Sequence, residues 1–417
     1  MTRMVFDEWA DKYAERMHSI RRSAVRDLFA AASRSDVISL SGGMPEISSL
    51  PLDKVAQAVK SAIDEEGVSA LQYGSSIGRV QTREVVCGLM EDLNIHATPN
   101  DIIITSGAQQ ALDLIGKTFI DPGDPIILEA PTYVGTLQAF SQYQPEIHGI
   151  ELDEEGMRID LLEKELDELE ACGRKPKFVY TIPNFHNPAG VTMTLERRKR
   201  LVELARARGL LIIEDDPYGR LRYSGEPIPA MRSMDPNVVY LGTVSKMFAP
   251  GVRTGWIIAP KPILEKINLT KQAADLCGST LDQVVVEHYF NDTPWRETLE
   301  VLRRQYAERR DAMLAALEEF FPPEAEWTHP DGGFFLWVTL PRFVDTDQML
   351  SLALEQGVTY VPGKGCDPAG GCISSMRLAF CYESPENIRE AIRRLALVIE
   401  DRMALYRAFI KAGAIEE

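Results

Sequence analysis

No stretch of the sequence approaches the roughly 20 consecutive apolar residues that a membrane-spanning helix requires. The N-terminal segment MTRMVFDEWADKYAERM is charged throughout and lacks the apolar centre of a secretory signal, so a cytoplasmic protein that avoids membranes is expected. Basic charge is in deficit. There are 45 Lys and Arg against 62 Asp and Glu, a net charge of −17. Such a surface repels phosphate backbones and no local basic patch offsets it, so nucleic acid is not an expected partner. Cysteines are few: Cys87, Cys172, Cys277, Cys366, Cys372 and Cys381. None forms a C-x-x-C pair, which argues against a zinc or dithiol motif, and no metal is expected. Cys366 and Cys372 share a glycine-rich loop, but scattered reduced thiols are the expectation.

What is present is alternation. Short β-branched runs read as buried strands at 101–105, 125–130, 177–181, 210–215, 237–242 and 255–260. Helical stretches such as GAQQALDLIGKTFI and TLERRKRLVELARARG separate most of them. Strand and helix in repetition predict an α/β fold with a mostly parallel sheet covered by helices on both faces. The acidic run at 151–172 keeps Leu162, Leu166 and Leu169 at helical spacing and reads as the solvated face of an amphipathic helix. Beyond about 290, a long helix over 293–320, strands near GGFFLWVTL, VTYV and SSMRLAF, and a final helix capped by Ser384 predict a smaller α+β domain. The expected organisation is an N-terminal arm with part of the small domain over 1–50, a large cofactor-binding domain over 51–290, and a small C-terminal domain over 291–417.

Ligands of open α/β sheets bind beyond the carboxyl ends of the strands. Polar residues that follow each strand are therefore the candidates. The first strand is followed by Ser106, Gly107, Ala108 and Gln109 at a helix start, a place suited to phosphate. The next leads to Tyr133, and the third to a Pro/Asn/Gly loop with Asn184, His186 and Asn187. The fourth leads to Glu214, Asp215, Asp216 and Tyr218, and the fifth to Thr243, Ser245 and Lys246, with Arg253 further on among glycines. Each feature alone is ordinary. Together they match the needs of pyridoxal 5′-phosphate: Lys246 for its aldehyde, Asp215 for its ring nitrogen, Asn187 and Tyr218 for its phenolic oxygen. Tyr133 suits the ring face, and Gly107, Ala108, Ser245 and Arg253 suit the phosphate.

The segments SGGMPEISSLP, LQYGSSIG, TSGAQQALDL, PTYVG, PNFHNPAG, EDDPYGRL, SKMFAPGVRTGW and MRLAF run in order from residue 41 to 380. In this the sequence resembles the fold type I pyridoxal-phosphate aminotransferases, in the branch holding α-aminoadipate and kynurenine aminotransferases. The resemblance implies that Lys246 is the Schiff-base lysine and that Arg377 binds the substrate α-carboxylate. It further implies that Gly43 approaches the substrate and that Tyr73 reaches the phosphate of a neighbouring subunit in a homodimer with shared active sites. Arg26, in SAVRDLF, matches an arginine that can pair with a distal carboxylate. His186 stands where glutamine is common, Pro217 where a small residue is, Cys366 where phenylalanine is, and Thr82 where leucine is. His186 is open to a catalytic reading and to a satisfied loop histidine.

The expected reaction moves the amino group of an L-amino acid (2-aminoadipate-like, aromatic or branched-chain) to a 2-oxo acid, with 2-oxoglutarate the acceptor by analogy. Lys246 would shuttle the proton. A lyase or decarboxylase on the same scaffold is the alternative. A regulator fused to a DNA-binding domain is not favoured, because about 40 residues precede the first motif.

Overall fold

The computed structural model describes residues 7–19 and 36–412. The first strand of the described residues, β1 (Ile38–Ser39), stands apart from the main sheet. The main sheet contains β2 (Ile102–Thr105), β3 (Pro125–Ala130), β4 (Glu146–Asp153), β5 (Gly156–Met157), β6 (Val179–Thr181), β7 (Ile212–Asp215), β8 (Val239–Thr243) and β9 (Gly255–Ile258). Its order is β2-β9-β8-β7-β6-β3-β4-β5. The centre, from β8 through β7, β6 and β3 to β4, is parallel. β9 runs antiparallel between β8 and β2, and β5 folds back on β4.

Alternation along these strands feeds two cores. Ile126 and Leu128 face one side, with Tyr180, Ile213 and Leu241, against Leu112 and Ile115 of the helix Ala108–Phe119. Ile127, Val179 and Ile212 face the other, against Leu162 and Leu166 of the helix Ile159–Ala171 and Leu201 of the helix Leu195–Arg208. Both faces are covered, so the central strands are apolar on both sides. The helix Leu195–Arg208 starts where Thr194 Oγ1 accepts the Arg197 N–H at 3.4 Å and stops at Gly209, whose φ of 63° is left-handed.

The acidic run at 151–172 corrects one expectation. Its helix begins only at Ile159, and residues 151–153 close β4. Glu151 pairs with Ala130 of β3 and Leu152 and Asp153 pair with β5, while Leu162, Leu166 and Leu169 are buried along the helix as their spacing predicts.

A second sheet holds β10 (Glu326–Trp327), β11 (Phe335–Thr339), β13 (Val361–Pro362) and β14 (Ser375–Ala379), all antiparallel, in the order β10-β11-β14-β13. The expected strand VTYV divides: β12 (Val358–Thr359) pairs in parallel with β1, while β13 pairs with β14. This sheet packs on Ile388, Ile392 and Leu395 of the helix Pro385–Lys411. Ser384 caps that helix by accepting the Asn387 N–H at 3.2 Å. The long helix Trp295–Phe320 belongs to both halves, with Trp295, Leu299 and Tyr306 in a core shared with Phe248 and Met313 and Leu317 in the second core. No helix of the described residues is long and apolar enough to cross a membrane.

Candidate active site

Asp215 ends β7 and is buried. Tyr180, from the neighbouring β6, donates its hydroxyl to Asp215 Oδ2 at 2.7 Å, and Thr136 donates to Tyr180 at 2.9 Å. Asp215 Oδ1 is buried with no hydrogen-bond partner. Burial pushes this carboxyl up to about 7; the Tyr180 hydrogen bond opposes the rise, and the charges of Asp216 and Glu129 add to it. An orphaned acceptor of this kind calls for a cationic donor, and a protonated pyridine nitrogen is one. Its neighbours in the sequence are otherwise engaged. Glu214 accepts the N–H groups of Met231 and Arg232 at 2.9 and 2.8 Å, and Asp216 accepts from Asn184 and Gly219 at 2.9 and 2.8 Å.

Lys246 follows β8 and projects toward the same opening. Its Nζ donates to Gly43 O at 2.9 Å and lies 5.5 Å from the centre of the Phe334 ring and 6.0 Å from that of Tyr218. Crowding by protein atoms pushes the amine down to about 8, aided by the positive charges of Arg377 and Arg253. The residue as a whole is only partly shielded from solvent. Tyr218 is buried edge-on against Phe334 and Phe335, with ring centres 5.4 and 5.9 Å away. Burial pushes its hydroxyl well above the ordinary phenol range.

The turn between β2 and the helix Ala108–Phe119, the expected phosphate end, is built from close backbone approach. Gly107 has a φ of 76° and opens the helix Ala108–Phe119. A side chain at Gly107 would run into the Arg253 guanidinium, and one at Gly255 would come within 2.8 Å of the Gly107 backbone. Arg253, itself left-handed at φ 44°, donates to Ser106 O at 3.1 Å and Pro250 O at 3.2 Å. The Gly107 N–H is directed to Thr105 O at 2.8 Å and the Ser106 N–H to Gln110 Oε1 at 2.7 Å. Gly107 therefore contributes space, while the first-turn N–H groups of Ala108 and Gln109 have no carbonyl within the helix to meet. The Gln109 side chain donates to Gly135 O at 3.0 Å. Thr243 Oγ1 donates to Thr254 O at 2.9 Å and lies 3.0 Å from Ser245 Oγ.

Arg377 is the buried cation of the cleft. It donates to Asn187 Oδ1 at 2.9 Å and to Ser41 O at 2.5 Å, and its plane lies 4.2 Å over the Phe335 ring. Its Nε has no partner. The bond to Asn187 Oδ1 leaves the Asn187 amide N–H groups as donors. Gly43 must be glycine, since a Cβ there would sit 2.6 Å from Phe335 Cζ. Burial raises the Tyr133 hydroxyl above its usual value, followed by the charge of Asp215, with Arg377 and Arg253 opposing. These neighbours place Tyr133 beside the same opening.

Lys246, Asp215, Tyr218, Asn187, Tyr133, Arg377, Gly43, Ser245, Arg253 and the Ser106–Gln109 turn thus converge on one cleft. Tyr73 does not join them within its own chain; it is 79% exposed. Arg26 lies outside the described residues. Sequence reasoning passed over Tyr180 and Thr136. A tyrosine inside a fully buried strand needs a partner for its hydroxyl, and that was the available signal for Tyr180. Ser41 acts through a backbone carbonyl, which leaves no mark in the sequence. Among the described residues, no group of three or more His, Cys, Asp or Glu side chains is placed to hold a metal ion.

The model of the family described as aminotransferase class I and II matches residues 35–395. The chain is 46% identical over 394 residues to aromatic-amino-acid aminotransferase 1 of Thermococcus litoralis, covering 94% of each chain. It is 35% identical over 402 residues to the 2-aminoadipate transaminase of Thermus thermophilus, covering 95% of this chain and 98% of the relative. The kynurenine aminotransferase of Pyrococcus horikoshii, solved with PMP and kynurenine, superposes with a TM-score of 0.91 at 43% identity, over 94% of this chain and 98% of that one. The chain belongs to the aminotransferase class I and II family and is a pyridoxal-phosphate-dependent aminotransferase.

Proposed function

We propose that the protein transfers the amino group of an aromatic L-amino acid to 2-oxoglutarate, with Lys246 bonded to the cofactor in the resting enzyme. The observation that carries the assignment of residues is the unpartnered, buried Oδ1 of Asp215 in the cleft that also holds the Lys246 amine. Bound there, pyridoxal phosphate supplies an electron-withdrawing ring that accepts the charge left when the α-proton departs. Asp215 would keep the ring nitrogen protonated. Ala108, Gln109, Ser245 and Arg253 would hold the phosphate. Asn187 and Tyr218 would donate to the phenolic oxygen, and Tyr133 would pack on the ring. Arg377 grips the α-carboxylate of the substrate through its guanidinium. Lys246 Nζ, its basicity lowered to about 8, takes the α-proton and returns it.

The aromatic reading of the substrate is supported by the Thermococcus litoralis relative. The Thermus thermophilus relative favours a second reading, 2-aminoadipate, with Arg26 as partner of the distal carboxylate. The test is a half-reaction: the holoenzyme is mixed with L-phenylalanine or L-2-aminoadipate and no 2-oxo acid. Loss of the visible band, restored by 2-oxoglutarate, is expected with phenylalanine at lower concentration than with aminoadipate. Continuous turnover without an acceptor would mean lyase chemistry instead.

A cytoplasmic homodimer completes the proposal, with Tyr73 reaching the phosphate of the partner and the chain divided near residues 50 and 290 into arm, large domain and small domain. Support comes from an exposed apolar stretch, with Leu52, Val68 and Leu71 at 68%, 79% and 68% exposure beside Tyr73. Sedimentation analysis of the holoenzyme tests it; a monomer retaining full activity contradicts it.

A further inference from the structure

Behind the cleft lies a pair the reaction does not use. Glu129, near the end of β3, and His186, next to Asn187, are both 1% exposed. Ala189 N–H donates to His186 Nδ1 at 3.2 Å. That contact assigns the proton to Nε2, which lies 3.0 Å from Glu129 Oε2 but out of line for a full hydrogen bond. Glu129 also accepts the Thr181 hydroxyl at 2.5 Å and the Ile182 N–H at 2.9 Å, both at the end of the strand that carries Tyr180. The His186 backbone is fixed as well: its N–H donates to Val191 O at 2.8 Å and its carbonyl accepts the Gly190 N–H at 2.6 Å. Glu129 therefore holds the ends of β3 and β6 together by hydrogen bonds, with the His186 ring of the Asn187 loop packed against it.

We infer that Glu129, steadied by His186, is a positioning residue: it braces the Asn187 loop and sets a carboxylate behind Asp215. With Nδ1 accepting a hydrogen bond, the imidazole presents its Nε2–H side to Glu129. Burial is the main cause that raises the Asp215 carboxyl; the Tyr180 hydrogen bond opposes it, and the charges of Asp216 and then Glu129 add to it. The charged groups that face Lys246 are Arg377 and Arg253, with the Cys381 thiol beside them. A negative charge set behind the ring stabilises a cationic cofactor, as Asp215 does at closer range.

The inference rests on the proposed roles of Asp215 and Asn187. Its test uses the holoenzyme with pyridoxal phosphate bound and two readouts other than turnover: the midpoint of the visible band against pH, and the rate of cofactor loss to excess apo-acceptor protein. Glu129→Gln keeps the shape and removes the charge; the midpoint is expected to fall by on the order of half a unit. His186→Leu keeps the charge and removes the ring nitrogens; the midpoint is expected to hold while cofactor loss speeds several-fold, with His186→Gln restoring retention. A folded Glu129→Gln holoenzyme that keeps the wild-type midpoint and the wild-type rate of cofactor loss overturns the inference. Asp215→Asn separates the two levels: if it also titrates as wild type, the reading of the site itself fails.

Discussion

The guanidinium of Arg377 and the side-chain carbonyl of Asn187 meet at 2.9 Å, across 190 residues of sequence. One residue lies on the small antiparallel sheet and the other on a loop of the large parallel one. In the proposed site, their bond would tie the anchor for the substrate carboxylate to the donor for the cofactor phenol. A change at either end should be felt at both. Arg377→Lys keeps the charge but loses the planar fork, the contact with Asn187 and the stack on Phe335. The amino acid KM is expected to rise about 10- to 100-fold, with a smaller fall in kcat. Steady-state kinetics with a fixed acceptor checks this; an unchanged KM would remove Arg377 from the carboxylate site.

Asp215 makes a prediction for the cofactor-free protein. Its carboxyl titrates near 7 in the fold, against an ordinary value near 3.8. The folded state therefore holds the proton more tightly than the unfolded chain. As pH rises from about 4 to 7, this group removes stability, and above 7 the loss is complete. Glu214, also pushed up to about 7 by burial, acts in the same direction and window. Asp215→Asn carries no charge to bury. The apo variant is expected to be more stable than apo wild type at pH 8, by on the order of 3 kcal/mol, and to show little gain at pH 4. Urea unfolding at the two pH values checks it. A variant less stable than wild type at pH 8 would contradict the account of this carboxylate.

Two glycines with positive φ should differ in consequence. A Cβ at Gly107, where φ is 76°, would meet the Arg253 guanidinium, whereas one at Gly67, where φ is 55°, would have nothing within 4 Å. Gly67→Ala is expected to cost only backbone strain, about 1 kcal/mol, with cofactor affinity unchanged. Gly107→Ala adds a displaced arginine at the proposed phosphate end, and its affinity for pyridoxal phosphate is expected to fall at least 10-fold. Fluorescence titration of the apo-proteins separates the two; equal affinities would mean that Arg253 does not serve the phosphate.

Much of this site was legible because parallel strands deliver their trailing residues to one edge. Asp215, Lys246 and Asn187 each follow a short apolar run, and the run marks the place. Two kinds of feature were not legible. Tyr180 sits inside a strand, where its ring reads as core, and only the pairing of β6 with β7 brings its hydroxyl to Asp215. Ser41 serves Arg377 through a carbonyl that any residue possesses. The fold shows the same limit. Val358–Val361 reads as one strand, yet the chain turns between β12 and β13 to serve two sheets, a division set by partners far away in sequence. Likewise β4 is defined by its ladder with β3, while its own residues continue into an acidic run with helical spacing.

The most direct measurement fixes the cofactor where it is bonded. The holoenzyme is reduced with borohydride, digested, and its peptides are weighed. The account predicts one reduced phosphopyridoxyl group per chain, on the peptide that contains Lys246, and no label in Lys246→Ala. The other informative lysine is Lys271, fully buried but held by Asp275 at 2.8 Å. Label on Lys271 or any lysine other than Lys246 would contradict the assignment of this cleft.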